Sequence, residues 1–233
     1  MDKTPVKKEL IKPRKIVAIA DMTFFKKTFG VCVFRDANLK RNIIWKAAKT
    51  ETIGIYQELR IELETRGFKF QAIVIDGRPG LFKLFSDIPI QMCHFHQAAI
   101  MTRYLTTRPK LPASQMLRRI ALQIPKSNEK EMKILLPAWH KKWECFLNEK
   151  TLNEETGKWH YTHKRLRSAF RSINKNLPYL YTYQKYPHLN IPSTTNSLDG
   201  YFSHLKELIR VHRGLKQHRK LKIIDEILRK NPH

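Results

Sequence analysis

Cysteine is scarce: Cys32, Cys93 and Cys145 are widely separated and odd in number. This argues against a disulfide framework and for a reducing compartment. Long apolar runs are absent too. None approaches the ~18 residues of a membrane-spanning helix, so no membrane association is expected. The first fifteen residues, MDKTPVKKELIKPRK, are charged and lack the apolar centre of a secretory signal, and the expected location is cytoplasmic. No internal repeat or low-complexity tract interrupts the chain. Acids are the last shortage: 20 Asp and Glu stand against 45 Lys and Arg, a formal net charge of +25. That surplus runs along the whole chain, and its physical meaning is salt-sensitive affinity for a polyanion, with nucleic acid the expected partner.

The chain has 233 residues, 42% of them hydrophobic, enough for one large domain or one domain carrying an insertion. Residues 1–15 read as a basic, mobile arm. Strand-like runs rich in Val, Ile, Phe and Trp follow at 16–25, 29–35 and 42–48. Ile53, Tyr56, Leu59 and Leu63 then recur at helical spacing over 51–66, with Gly67 as the expected C-cap. A strand over 68–75, a short helix over 79–86 and a strand from Ile88 to about Phe95 complete a β-β-β-α-β-α-β order. Hairpin strands beside crossover strands mean a mixed sheet covered by helices. From residue 97 to 190 the pattern is helical throughout, clearest at 112–123, 128–148 and 161–176. It reads as an all-helical insertion before closing helices in 191–233.

Few as they are, some acids stand where a charge is costly. Asp21 follows the apolar run 16–20, and Asp76 follows 72–75 and opens the turn Asp76-Gly77-Arg78-Pro79-Gly80. A carboxylate at the mouth of an apolar core needs cationic compensation. Two of them in a polycation suggest acids that hold metal ions beside a polyanion, the chemistry of phosphodiester cleavage. Turn or cap aspartates are the plainer alternative for both. Asp199 opens a helix in Thr195-Asn196-Ser197-Leu198-Asp199-Gly200, with Thr195 or Asn196 as cap. Asp199, Ser203, Lys206, Arg210 and Arg213 share one line along that helix. The acid is either a metal ligand heading a phosphate-tracking face or a first-turn residue favoured by the helix dipole. Cys93 and His96 form a C-x-x-H pair without the second pair that a structural zinc site needs, and a buried strand-end cysteine is the alternative. Tyr179, Tyr181, Tyr183 and Tyr186 suit packing better than base stacking. Lys164, Arg165, Arg167 and Arg171 are a charge run that a solvated helix face would also explain.

Taken in order, Ile19-Ala20-Asp21, Ile75-Asp76-Gly77-Arg78-Pro79-Gly80-Leu81, Gln91-Met92-Cys93-His94-Phe95-His96-Gln97 and Thr195 to Lys206, continuing to His212-Arg213-Gly214-Leu215, resemble segments of the Mutator-type bacterial insertion-sequence transposases. These carry an Asp-Asp-Glu active site, and the chain is most similar to the variant with a separate zinc-binding amino-terminal region. The resemblance covers roughly residues 15–220. It implies a ribonuclease-H-like core over 16–96, an all-helical insertion over 97–190, and a return to the core over 191–233. It implies that Asp21 and Asp76 are the first two catalytic acids, and that the Cys93/His96 element is linked to the DNA substrate. Asp199 stands where the family usually has Glu, one methylene longer. No zinc-binding or helix-turn-helix unit reads out of the first fifteen residues, so this chain is expected to be a catalytic-domain portion.

The expected activity is DNA transposition at the bacterial nucleoid. Two Mg²⁺ (or Mn²⁺) ions on Asp21, Asp76 and Asp199 would serve cleavage of element ends and 3′-hydroxyl strand transfer into target DNA. Lys206, Arg210 and Arg213 would contact phosphates of double-stranded DNA, and a homodimer would hold two ends. The alternatives are a nuclease of the same fold without strand transfer, and a non-catalytic nucleic-acid-binding protein derived from a transposase.

Overall fold

The structure is a computed structural model that describes residues 7–8, 12–26, 28–211 and 214–230. A short edge strand, β1 (Lys7–Lys8), precedes the long strand β2 (Lys15–Phe25), then β3 (Phe29–Asp36) and β4 (Arg41–Ala48). Helix α1 (Ile53–Thr65) leads to β5 (Lys69–Ile75), α2 (Pro79–Leu84) and β6 (Ile90–Met92). The six strands form one sheet in the order β1-β4-β3-β2-β5-β6. Strands β2, β3 and β4 are antiparallel neighbours, whereas β2, β5 and β6 run parallel. Gly67 ends α1 at φ +89°, the left-handed position a glycine C-cap supplies.

Period-two alternation sorts the sheet's apolar residues to two faces. Ala18, Ala20, Met22, Ile73 and Ile75 pack with Tyr56, Leu59 and Leu63 of α1 and with Leu81 and Phe85. Val17, Ile19, Phe25, Val33, Ala72 and Val74 face the opposite way, toward helices introduced below. An exposure near 0% on both faces of β2, β3 and β5 marks a sheet covered on both sides.

Beyond β6 come α3 (His94–Leu105), α4 (Pro112–Leu122), α5 (Glu129–Lys142) and α6 (Glu144–Asn148). The strand expected to reach Phe95 stops at Met92, because residues 94–105 bury His94, Gln97, Met101 and Leu105 at helical intervals. The expectation of an all-helical segment fails at β7 (Lys150–Asn153) and β8 (Lys158–Tyr161), an antiparallel hairpin. Its strands are only four residues long and mostly exposed, so no alternating apolar signal marks them; its turn reaches Gly157 at φ +63°. Helix α7 (Lys164–Leu180) starts later and runs further than the 161–176 expected, continuing through Pro178, and α8 (Thr182–Lys185) follows. These helices enclose their own core around Leu117, Met132, Leu136, Trp139, Ile173 and Tyr181. Within it the Trp139 indole N–H donates to the Ala113 carbonyl at 3.0 Å.

The chain closes with α9 (Asn196–Val211) and α10 (Gln217–Lys230). Leu198, Phe202, Leu205 and Ile209 of α9, with Ile224 and Leu228 of α10, cover the second face of the sheet. Directional contacts fix α10: the Trp45 indole N–H donates to Asp225 at 3.0 Å, and the Tyr201 hydroxyl donates to the Ile227 carbonyl at 2.8 Å. This mixed sheet flanked by helices is consistent with a ribonuclease-H-like fold.

Candidate active site

Sheet register decides which acids meet. Ile19 of β2 pairs with Val74 of β5. Continued two residues, that register leads from Asp21, inside β2, toward Asp76, the first residue past β5, and the two are near enough for Asp76 to raise the Asp21 carboxyl. Asp21 is only 9% exposed. Its Oδ1 accepts the Met22 amide at 2.8 Å, and Asp76 Oδ1 accepts the Arg78 amide at 3.1 Å.

Burial dominates their electrostatics. It lifts the Asp21 carboxyl to about 7, with Asp199 and Asp76 pushing the same way and His96 opposing. Burial also raises Asp76; the Arg78 amide, His96 and the Arg78 side chain counter it, and a fourth acid, Glu51, adds to it. Asp199 therefore belongs to the same charged neighbourhood as Asp21, on the helix laid across the acid-bearing face. Its own carboxylate is engaged: Oδ2 accepts the Thr195 hydroxyl at 2.7 Å.

Glu51 carries no motif, and the sequence reading missed it. It is tied down on both sides, accepting the Tyr56 hydroxyl at 2.7 Å and pairing with Arg78 at 2.9 Å. Thr195 was read as a helix cap, and its carbonyl does accept the amides of Leu198 and Asp199. Its larger role comes from tertiary contacts. Buried completely, Thr195 donates its amide to Cys93 Sγ at 3.3 Å, and its hydroxyl lies 3.3 Å from the same sulfur.

Cys93 is likewise buried. Hydrogen bonding between the two lowers the thiol against the effect of burial and raises the imidazole to about 9. His96 is then a cation facing Asp21 and Asp76. The C-x-x-H element thus forms a chain, His96 to Cys93 to Thr195 to Asp199, that links the end of β6 to the start of α9. The His94 amide strengthens it by donating to the Ser193 carbonyl at 3.0 Å.

A divalent metal is the group the sequence implied, and the donors fit it in part. Asp21 and Asp76 offer hard oxygen donors, desolvated and compensated by His96 and, at Asp76, by Arg78, a donor type that suits a hard cation. Asp199 does not complete the set while Thr195 holds it, and among the described residues no three His, Cys, Asp or Glu side chains are disposed to hold a metal ion. Lys206 and Arg210 are exposed along the line that Asp199 heads. Arg213 lies outside the described residues. The tyrosines pack as expected: Tyr179 lies 4.4 Å from Phe82 between ring centroids, and the buried Tyr181 hydroxyl donates to the Ile124 carbonyl. In the basic run, Arg167 covers the Tyr161 ring at 3.7 Å and donates to the Leu147 carbonyl, tying α7 to the hairpin.

No protein-family model matches the chain, and no curated protein matches it. Among solved structures, a chain from the simian T-cell lymphotropic virus intasome in complex with PP2A regulatory subunit B56 gamma is similar at 14% identity and a TM-score of 0.27. The match covers 75% of this chain and 54% of that chain, so this chain spans about half its length. So loose a superposition carries no argument about activity. Among the described residues no helix is long and apolar enough to cross a membrane. Fold and site together define a class: a strongly basic α/β protein with one buried acid inside a central strand, Asp21, and a half-buried one just past its parallel neighbour, Asp76.

Proposed function

We propose that this chain is the catalytic portion of a DNA transposase of the Mutator type, cleaving phosphodiester bonds and transferring 3′-hydroxyl ends with divalent metal. One observation supports this above the others. Asp21 and Asp76 come near each other at a pair of parallel strands, both raised by burial, in a chain of net charge +25. Carboxylates taken out of water cost stability that His96 and Arg78 offset only in part, and a divalent cation held by Asp21 and Asp76 would offset more of it. Divalent ions supply Lewis-acid polarisation of a phosphodiester and neutralise its charge.

The chain's own groups have distinct parts in this reading. Asp21 and Asp76 hold the cation, with their carboxylates oriented by the amides of Met22 and Arg78. Asp199 joins them when its carboxylate turns from Thr195. A rotation of this kind is needed because aspartate is a methylene shorter than glutamate, and small misplacements can cost ~10²-fold. His96 keeps a positive charge beside the acids. Lys206 and Arg210 position the duplex through phosphates without reading bases. Mg²⁺ or Mn²⁺ is the expected metal, double-stranded DNA the substrate, and a homodimer the form that holds two ends.

The test is an assay of labelled element-end DNA with Mg²⁺ or Mn²⁺, separating joined from merely cut products. Asp76→Asn should abolish cleavage and leave DNA affinity nearly unchanged; retained cleavage would remove Asp76 from the site. The Thr195 bond to Asp199 favours a second reading, a nucleic-acid-binding protein whose active site no longer assembles. Binding indifferent to metal, with no cleavage at any metal concentration, would select it.

A further inference from the structure

Arg78 stands two residues past Asp76 and is held at both ends. Its amide donates to Asp76 Oδ1 at 3.1 Å. Its guanidinium meets a single residue with both terminal nitrogens: Nη1 pairs with Glu51 Oε2 at 2.9 Å, and Nη2 donates to the Glu51 carbonyl at 3.1 Å. Two contacts on one partner fix the plane of the group as well as its place. Glu51 is anchored in turn, because its Oε1 accepts the hydroxyl of Tyr56, a wholly buried residue of α1, at 2.7 Å. The turn after Asp76 is pressed against the start of the same helix. A Cβ on Gly80 would come within 2.6 Å of Ile53 Cγ1. Core tyrosine, acid and guanidinium therefore form one series that ends beside a carboxylate of the candidate site.

Stability gives a weak reason for this arrangement. Glu51 and Arg78 keep 22% and 37% of their side chains exposed, and ion pairs open to water contribute little. Gathering DNA is a weak reason too, since any of the chain's 45 Lys and Arg adds to that attraction without being tethered. Orientation is what the tether supplies. A guanidinium carries five N–H donors in a rigid fork that matches phosphate oxygens, and the Glu51 contacts engage two of them. A fork already aimed loses less freedom when it binds.

We infer that Arg78 grips a non-bridging oxygen of the phosphodiester held at Asp21 and Asp76, and that Glu51 aims it. The inference rests on the DNA reading above and deepens it. Lys206 and Arg210 take phosphates along α9, whereas Arg78 takes the phosphate at the carboxylates. Glu51, the fourth acid of the neighbourhood, is then a positioning residue rather than a metal ligand.

Two measurements test this: affinity for a fluorescent duplex across a range of salt in chelator, and cleavage with Mg²⁺. Arg78→Gln should lower the slope of log affinity against log salt by about one and reduce cleavage ~10²-fold. Arg78→Lys should restore the slope, because the charge returns, and leave cleavage low, because the planar fork does not. Glu51→Gln should keep the slope and lower kcat on the order of tenfold with little change in KM. An unchanged slope in Arg78→Gln would overturn the phosphate contact. Full cleavage by Arg78→Lys or by Glu51→Gln would overturn the aiming role. Loss of the melting transition in both Arg78 variants would reduce the pair to a structural strut and overturn the inference as well. Failure of the unaltered protein to bind the duplex would instead sink the DNA reading itself. If that protein binds but never cleaves, the slope alone still decides whether Arg78 meets a phosphate.

Discussion

At the scale of single residues, Asp21 joins folding to chemistry. Its carboxyl titrates near 7 in the folded chain against about 3.8 when unfolded, so the folded state binds the extra proton between those values. Stability from this group is therefore greatest below the lower value and declines as pH rises toward 7. Asp21→Asn keeps an acceptor for the Met22 amide and removes the buried charge. Melting in the presence of chelator should show the variant more stable than the parent at pH 8, by roughly 2 kcal/mol or more, with the gap closing toward pH 4. A gap independent of pH would mean the carboxyl is not the source. Asp199 is tested differently. Restoring the longer side chain with Asp199→Glu should raise cleavage, and a neutral or harmful result would argue against its role as third ligand.

At the scale of elements, α9 and β6 matter together because Cys93 and Thr195 tie the end of one to the start of the other. Thr195→Val removes the hydroxyl while keeping the shape. It should cost about 1 kcal/mol, seen as a fall of ~2–4 °C in melting midpoint. An unchanged midpoint would show that the link does not contribute. Along the same helix, replacing Lys206 and Arg210 together by Ala should reduce the slope of log affinity against log salt by about two. An unaltered slope would place the duplex on another surface. The helices from α3 to α7 depend on Trp139, which is wholly buried. Trp139→Ala should cost ~3–5 kcal/mol, read as loss of the near-ultraviolet dichroism of that core.

At the scale of the whole molecule, the charge surplus and the buried acids are complementary. On the proposed reading, the polycation gathers DNA over its surface and the carboxylates of Asp21 and Asp76 meet what is gathered. Millimolar Mg²⁺ should raise the melting midpoint of the unaltered chain, since a ligand bound only by the folded state stabilises it by mass action. Asp76→Asn should abolish that rise. A midpoint insensitive to Mg²⁺ and Mn²⁺ would favour the non-catalytic reading.

Much of this was legible in the chain. Apolar runs that alternate or cluster mark β2 to β5, the helical period of Tyr56, Leu59 and Leu63 marks α1, and the aspartates that follow two apolar runs, Asp21 and Asp76, can be picked out by their cost alone. The hairpin β7–β8 was not legible, because short exposed strands bury too little to impose a pattern. Glu51 was not either, since nothing local distinguishes an acid held by Tyr56 and Arg78. The sequence by itself determined strands β2 to β5, their periodicity and the basic charge surplus, all of which act over neighbouring residues or by summation. Only the tertiary structure decided that Asp21 comes near Asp76 and Asp199, that Thr195 holds Asp199, and that Cys93 holds Thr195. Those are contacts between distant segments, set by register and packing, and no stretch of chain carries them alone.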